Sequence, residues 1–121
     1  MRIGVVGSRG FNDYNLLCTV LDKAPPFTHI VSGGANGADK LAARYARENK
    51  LELIEFIPNW NLYGKRAGFI RNELIVNNSN IIYAFWDGVS KGTNHSIKFS
   101  KSKGLNVVVI LYTTDDDKET A

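Results

Sequence analysis

Cysteine is nearly absent: Cys18 is the single one in 121 residues. No internal disulfide can form, so nothing points to an oxidising compartment. Cys18 has only His29 and His95 for company, too few ligands for a structural zinc site. No apolar run approaches the roughly 20 residues of a membrane span. The first residues, Met1–Val6, read as a short strand rather than a signal peptide. A cytoplasmic protein without membrane contact, bound metal or resident cofactor is the expectation. Excess charge is also small. Fifteen basic and 12 acidic residues leave a net +3, too weak by itself to mark a nucleic-acid binder. No P-loop is present, because no Gly-Lys-Ser/Thr follows at the required spacing. The dinucleotide fingerprint fails as well, since Gly4, the first of Gly4, Gly7 and Gly10, lies inside the first strand. A standard ATPase and an NAD dehydrogenase are set aside on those grounds.

What is present is a folded domain with glycine in clusters. The hydrophobic fraction is 44% and the charged fraction 22%, ordinary for a globular chain and wrong for a disordered or fibrous one. Apolar runs at Ile3–Val6, His29–Val31, Leu51–Phe56, Asn80–Trp86 and Leu105–Leu111 predict five short strands. Helical spacing falls between them. The first helix follows an Asp13 N-cap and ends at Ala24-Pro25-Pro26. The second begins near Gly37-Ala38-Asp39. The third covers Ala67–Asn77 with Phe69, Ile70, Leu74 and Ile75 inward, and the fourth covers Thr93–Lys103. Residues 59–65 read as a loop carrying Trp60 and Tyr63. Alternating strands and helices mean βαβ units, hence a Rossmann-like three-layer α/β/α sandwich on a mainly parallel five-stranded sheet. Residues 1–112 form one domain, and 113–121 an acidic, frayed tail.

Most of the 11 glycines fall in three turns: Gly7-Ser8-Arg9-Gly10, Gly33-Gly34-Ala35-Asn36-Gly37, and Gly88 to Thr93. Each follows a strand and precedes a helix, so all three lie at the carboxyl ends of parallel strands, where open α/β sheets bind ligands. Glycine lets backbone approach a ligand, and N–H groups at the helix starts suit an anion, most often phosphate. One such turn is weak evidence, because every strand-to-helix connection favours glycine. Three, with Ser32, Ser90 and Thr93 at hand, make a phosphate cradle the better reading.

These residues resemble the SLOG superfamily of Rossmann-like nucleotide-binding proteins, in particular its YspA (cpYpsA-related) branch. The similarity runs from Ile3 to about Ile110 in four ordered pieces. The first is Gly7-Ser8-Arg9 with Phe11. The second is Ser32-Gly33-Gly34-Ala35 with Gly37-Ala38-Asp39. The third joins Pro58, Trp60 and Tyr63-Gly64-Lys65 to Ala67-Gly68 and Arg71-Asn72. The fourth is Phe85-Trp86-Asp87-Gly88 with Ser90, Gly92-Thr93 and His95-Ser96-Ile97. The resemblance implies a nucleotide or nucleotide-derived ligand at the carboxyl ends of the strands, a prokaryotic or phage setting, and a homo-oligomer, commonly a dimer.

Residue roles follow from chemistry. Arg9 suits bidentate pairing with a phosphate. Ser32, Gly33 and Gly34 with the next helix start form the expected main cradle, and Gly7, Ser8, Gly92 and Thr93 the flanking ones. Asp39 either binds a ribose hydroxyl or caps its helix. Arg71 and Asn72, which the resemblance picks out, are expected to bind ligand, whereas Lys65 and Arg66 read equally as a solvated face. Trp60 stacks on a base or packs on the sheet edge. Asp87 orients a sugar or a water.

Three functions share this frame. The first is a sensor or sequestering protein for a nucleotide-like ligand, not an enzyme. The second is an N-glycosidic hydrolase similar to the LOG phosphoribohydrolases. Those carry Gly-Gly-x-Gly-Thr-x-x-Glu; here Gly92-Thr93 is kept but the glutamate position falls on Ser96. A serine does not handle protons as a carboxylate does, so hydrolysis would need Asp87 or Asp39 as the catalytic group. The third is a single-strand DNA binder similar to DNA-processing protein A, matched by Ser32, Gly33, Ala35, Gly37 and Asp39. The small net charge speaks against it.

Overall fold

The computed structural model describes residues 1–113. The expected acidic tail, apart from Thr113, lies outside the described residues. Five strands, β1 (Arg2–Gly7), β2 (His29–Ser32), β3 (Glu52–Glu55), β4 (Ile81–Trp86) and β5 (Asn106–Leu111), form one sheet in the order β3-β2-β1-β4-β5. Every pairing is parallel, so the Rossmann-like α/β expectation holds and the sheet is parallel throughout the described residues. Helices α1 (Tyr14–Asp22), α2 (Ala38–Glu48), α3 (Trp60–Tyr63), α4 (Ala67–Asn77) and α5 (Lys91–Ser102) connect them.

Alternation along β1 splits the core in two. Ile3 and Val5 face α1 and α2, packing with Leu17, Leu21, Ala42 and Tyr45. Val6 faces the other way, with Val31, Ile82 and Ala84, against Ile75 and Val76 of α4 and Ile97 of α5. Successive residues of a strand point to opposite faces, and a sheet covered on both sides needs apolar residues at both sets of positions. The chain winds outward from β1 to β3, then crosses back through α3 and α4 to β4. The strand order therefore reverses between β1 and β4, which opens a crevice at their carboxyl ends.

Two local expectations are corrected. Residues 59–65 are not an irregular loop. Asn59 accepts the Leu62 N–H at 3.1 Å and caps the single turn of α3, and a 3-10 turn over Gly64–Arg66 leads straight into α4. A side-chain cap supplies the backbone partner that a short helix start lacks. The inward face of α4 also differs. Ala67, Asn72, Ile75 and Val76 are buried, whereas Phe69 and Leu74 are 45% and 43% exposed. Polar residues (Arg71, Asn72, Glu73, Asn77) and apolar ones are spread round the whole helix, so spacing alone does not select the face that meets the sheet, although Ile75 is inward as expected.

Gly7 sets how closely α2 approaches the sheet. A Cβ there would lie 2.5 Å from the Ala38 Cβ and 2.8 Å from the Phe85 carbonyl oxygen. At Gly10 a Cβ would meet open space. Gly7→Ala is expected to destabilise the domain by about 1–3 kcal/mol through overpacking, and Gly10→Ala to stay within about 0.5 kcal/mol of the parent. Urea unfolding of the two variants measures both, and equal effects would contradict this packing.

Candidate functional site

The β1–α1 turn is held from below. The Ser8 N–H donates to the Phe85 carbonyl at 3.0 Å, the Phe11 N–H donates back to the Ser8 carbonyl at 3.1 Å, and the buried Phe11 ring packs on Phe85 and Tyr112. The Ser8 hydroxyl accepts the Asp87 N–H at 3.3 Å, tying this turn to the end of β4. Arg9 is left exposed at the tip.

Opposite stands Arg71 of α4, half-buried. Its Nη1 donates to the Gly33 carbonyl at 3.0 Å and its Nε to Asn72 Oδ1 at 2.9 Å. Asn72 in turn donates from Nδ2 to the Gly92 carbonyl at 3.3 Å. One chain of hydrogen bonds thus joins the turn after β2, helix α4 and the start of α5. A Cβ at Gly33 would meet the Arg71 side chain, so the arginine holds this position only while residue 33 has no side chain in its way. Burial lowers the Arg71 pKa, the nearby Arg9 charge lowers it further, and Asp39 opposes both; a guanidinium stays charged nonetheless.

These elements enclose a cavity of about 490 Å³ in the crevice between β1 and β4. Gly7, Ser8, Arg9 and Gly10 line it from one turn, and Ala35 and Asp39 from the second. Trp60, Lys65, Gly68, Phe69, Arg71 and Asn72 line it from α3 and α4, and Ser90, Lys91, Gly92, Thr93 and Ser96 from the last turn and α5. Four cations, Arg9, Lys65, Arg71 and Lys91, thus surround a single carboxylate, Asp39. The helix starts differ in step. Asp13 caps α1 and Asn59 caps α3 with side-chain acceptors, whereas α2 and α5, which begin at the cavity, have no side-chain cap. Their free N–H groups add to the positive field.

Asp39 is 6% exposed. Burial raises its pKa to about 6 from 3.8, against the Ala35 N–H, which donates to Oδ2 at 3.1 Å, and the Arg71 charge. Asp39 thus both lines the cavity and holds the turn before α2 through the Ala35 N–H. Asp87 is placed otherwise. Its Oδ1 accepts the N–H groups of Val89 and Ser90 at 2.9 and 2.8 Å, and its Oδ2 accepts the Ser90 hydroxyl at 2.8 Å. Burial works to raise its pKa, but these donors and the Ser8 hydroxyl outweigh it and the value falls below the usual carboxylate range. Asp87 shapes its own turn and lines neither the main cavity nor its neighbour.

A second cavity of about 320 Å³ adjoins the first, and Arg9, Ala35, Trp60 and Arg71 line both. Gly33 and Gly34 line only this second one. Ser32 is fully buried at the end of β2, lines neither cavity, and its hydroxyl has no partner among the described residues. Its place in the parallel ladder opposite Glu55 keeps it in the sheet rather than in the turn. Thr93 sits as expected at the α5 start. Lys65 lines the main cavity and Arg66 does not, so the 3-10 turn before α4 contributes one lysine beside Arg71.

The family model of the YspA, cpYpsA-related SLOG family matches residues 1–63, the stretch holding the first two turns and Trp60. The chain belongs to this family. The Gene 61 protein of Mycobacterium phage D29 is 32% identical over 117 residues, covering 88% of this chain and 94% of that protein. Arg71, Asn72 and the turn before α5 lie beyond the stretch matched by the YspA-related family model, and the hydrogen-bond chain through Gly33 is what joins them to it.

Lys91 and Phe69 were not singled out for the site from the sequence. Lys91 opens α5 beside Gly92, and its nearness to a glycine turn was the available signal. Phe69 reads as core by helical spacing, and only the packing of α4 turns it to the cavity mouth.

The Asp39 shift carries a consequence for stability. The fold favours the neutral carboxyl, so this contribution is full below about pH 4 and is lost as pH rises through about 6. Asp39→Asn removes that titration. The melting temperature of the variant relative to the parent should rise between pH 4.5 and 7.5, by the equivalent of roughly 2–3 kcal/mol at 1.36 kcal/mol per pKa unit. A difference that stays constant across that range would show that Asp39 bears no burial cost.

Proposed function

We propose that this protein binds a nucleotide or nucleotide-derived small molecule in the cavity between β1 and β4, as a sensor or sequestering protein. The observation that carries the reading is the anchored Arg71. Its Nη1 and Nε are already bound to Gly33 and Asn72, so the guanidinium is fixed at the cavity wall, and among the described residues it makes no salt bridge within 4 Å, Asp39 acting on it from further off. Arg9, Lys65 and Lys91 add charge around the same space. A preorganised guanidinium among further cations is suited to phosphate oxygens. Family membership supports a nucleotide-related role.

A hydrolase reading is favoured by one observation, the buried carboxyl of Asp39 on the cavity wall, whose pKa burial raises to about 6. A glycosidic hydrolysis ordinarily divides acid and base duties between two carboxylates. Asp39 is the single one lining the cavity, Asp87 is engaged in its own turn, and Ser96 donates its hydroxyl to the Gly92 carbonyl. Binding without turnover is the better fit.

Calorimetric titration with AMP and ADP tests the reading. Micromolar to submillimolar binding is expected. Arg9→Ala, an exposed change, should weaken it about tenfold or more without altering the melting temperature, because a charge-assisted hydrogen bond contributes about 1.5–3 kcal/mol. Absence of binding by either nucleotide at millimolar concentration would overturn the proposal. Chromatography of the same mixtures should find no free base. Base release that Asp39→Asn abolishes would establish the hydrolase instead.

A further inference from the structure

The two edges of the sheet differ. β3 is short, and the exposed Glu52 and Glu55 close its two ends. A charge at a bare edge discourages a further strand from pairing there. β5 is longer, Asn106-Val107-Val108-Val109-Ile110-Leu111, with no charge, proline or glycine. It pairs with β4 alone, so the N–H and C=O groups of its far edge meet no strand among the described residues. Its faces are also partly bare. Val107 packs with the α4–α5 core and Ile110 with the α1–α2 core, yet Val108, Val109 and Leu111 are 40%, 38% and 67% exposed. Charge around the strand is one-sided. Residues 88–113 hold four lysines, Lys91, Lys98, Lys101 and Lys103, and no aspartate or glutamate. All four belong to α5 or its C-terminal cap, on the helix packed against β4 and β5. They are exposed and form no salt bridge among the described residues.

We propose that β5 is a docking edge for an extended acidic segment of another protein, which joins the sheet as a sixth strand. Three observations choose that occupant. The unpaired backbone of the edge is satisfied by another main chain, which a nucleic acid lacks. Val109 and Leu111 lie two residues apart on one face, and so match apolar side chains at alternate positions of the incoming strand. The acid-free, lysine-bearing α5 on the same side of the sheet complements acidic residues between them. A second copy of this chain fits worse. Two β5 strands paired antiparallel about a two-fold axis bring α5 of one copy beside α5 of the other, lysines against lysines.

Titration with a short acetylated peptide of alternating glutamate and valine tests the inference. Submillimolar binding is expected, with amide NMR shifts at Asn106–Leu111 and none at Glu52–Glu55 of β3. The peptide can be N-methylated at either set of alternate residues, and one of the two versions should bind at least about tenfold more weakly than the other, because only one edge of the peptide pairs. A lysine–valine peptide should not bind. Leu111→Glu, at an exposed position, should weaken binding about tenfold or more without altering the melting temperature. Lys98→Glu with Lys101→Glu should weaken it at low salt and less at high salt. No binding at millimolar concentration, equal binding by both N-methylated versions, or shifts that miss β5 would overturn the inference. So would a dimer in sedimentation that Leu111→Glu dissociates, which gives the edge to a second copy. Peptide binding seen only in the variant carrying Asp115→Asn, Asp116→Asn and Asp117→Asn would overturn it too, by giving the edge to the chain's own acidic residues.

Discussion

The guanidinium of Arg71 holds the functional end of this protein together. It reaches from α4 to the Gly33 carbonyl, and through Asn72 to the Gly92 carbonyl, so three segments far apart in the chain share one chain of hydrogen bonds. Both arginine and asparagine are largely withdrawn from water, and a withdrawn polar group is tolerated only when it is bonded. The bare backbone at Gly33 leaves room for the guanidinium, and α5 begins where its first carbonyls can be reached. Packing behind the chain follows the same requirement, with Ile75 and Val76 of α4 seated on Val31 and Ile82 of the sheet.

The winding of the sheet supplies the place for that chain. Because β1 and β4 are neighbours while their connections leave to opposite faces, the strand ends cannot be covered by a single crossover. Two helices start there without side-chain caps, whereas α1 and α3 carry their own caps. Backbone N–H groups, two arginines and two lysines therefore surround one space, and the only acid facing them among the described residues, Asp39, is pushed toward its neutral form by burial. A near-balanced net charge of +3 coexists with a strongly positive cavity because the opposing acids lie elsewhere, Glu48 with Arg44 on α2 for instance.

Much of this was legible beforehand, for identifiable reasons. Short apolar runs separated by helical spacing leave few topologies besides a parallel α/β sheet, and glycine after a strand marks the turns where backbone must pass close. Arg9, Arg71, Asn72 and Thr93 were picked out in advance and the fold brings them to one cavity. Ser32 and Asp87 belong to the same motifs, yet Ser32 is retained by the sheet ladder and Asp87 is consumed by its own turn. Sequence proximity to a turn does not say whether a hydroxyl or carboxylate is already occupied by neighbouring N–H groups. The misread face of α4 has a similar cause. Polar and apolar residues mixed round a helix leave no periodic signal, and that Ile75 is buried as expected while Phe69 and Leu74 stay exposed is decided by contacts with α5 and the sheet.

From the order of residues alone came the alternation of strand and helix and the three glycine turns, because each is a local pattern that short-range sterics and hydrophobic period impose, and the resemblance to the family, which four ordered motifs carry. The tertiary structure alone decided which charges meet. Arg71 and Gly33 are 38 residues apart, and nothing local links them; the two adjoining cavities that share Arg9 and Arg71 exist only once β1, β2 and β4 lie side by side. Electrostatic and hydrogen-bonding function depends on distances of a few ångströms between remote segments, and those distances are set by the packing of the whole sheet.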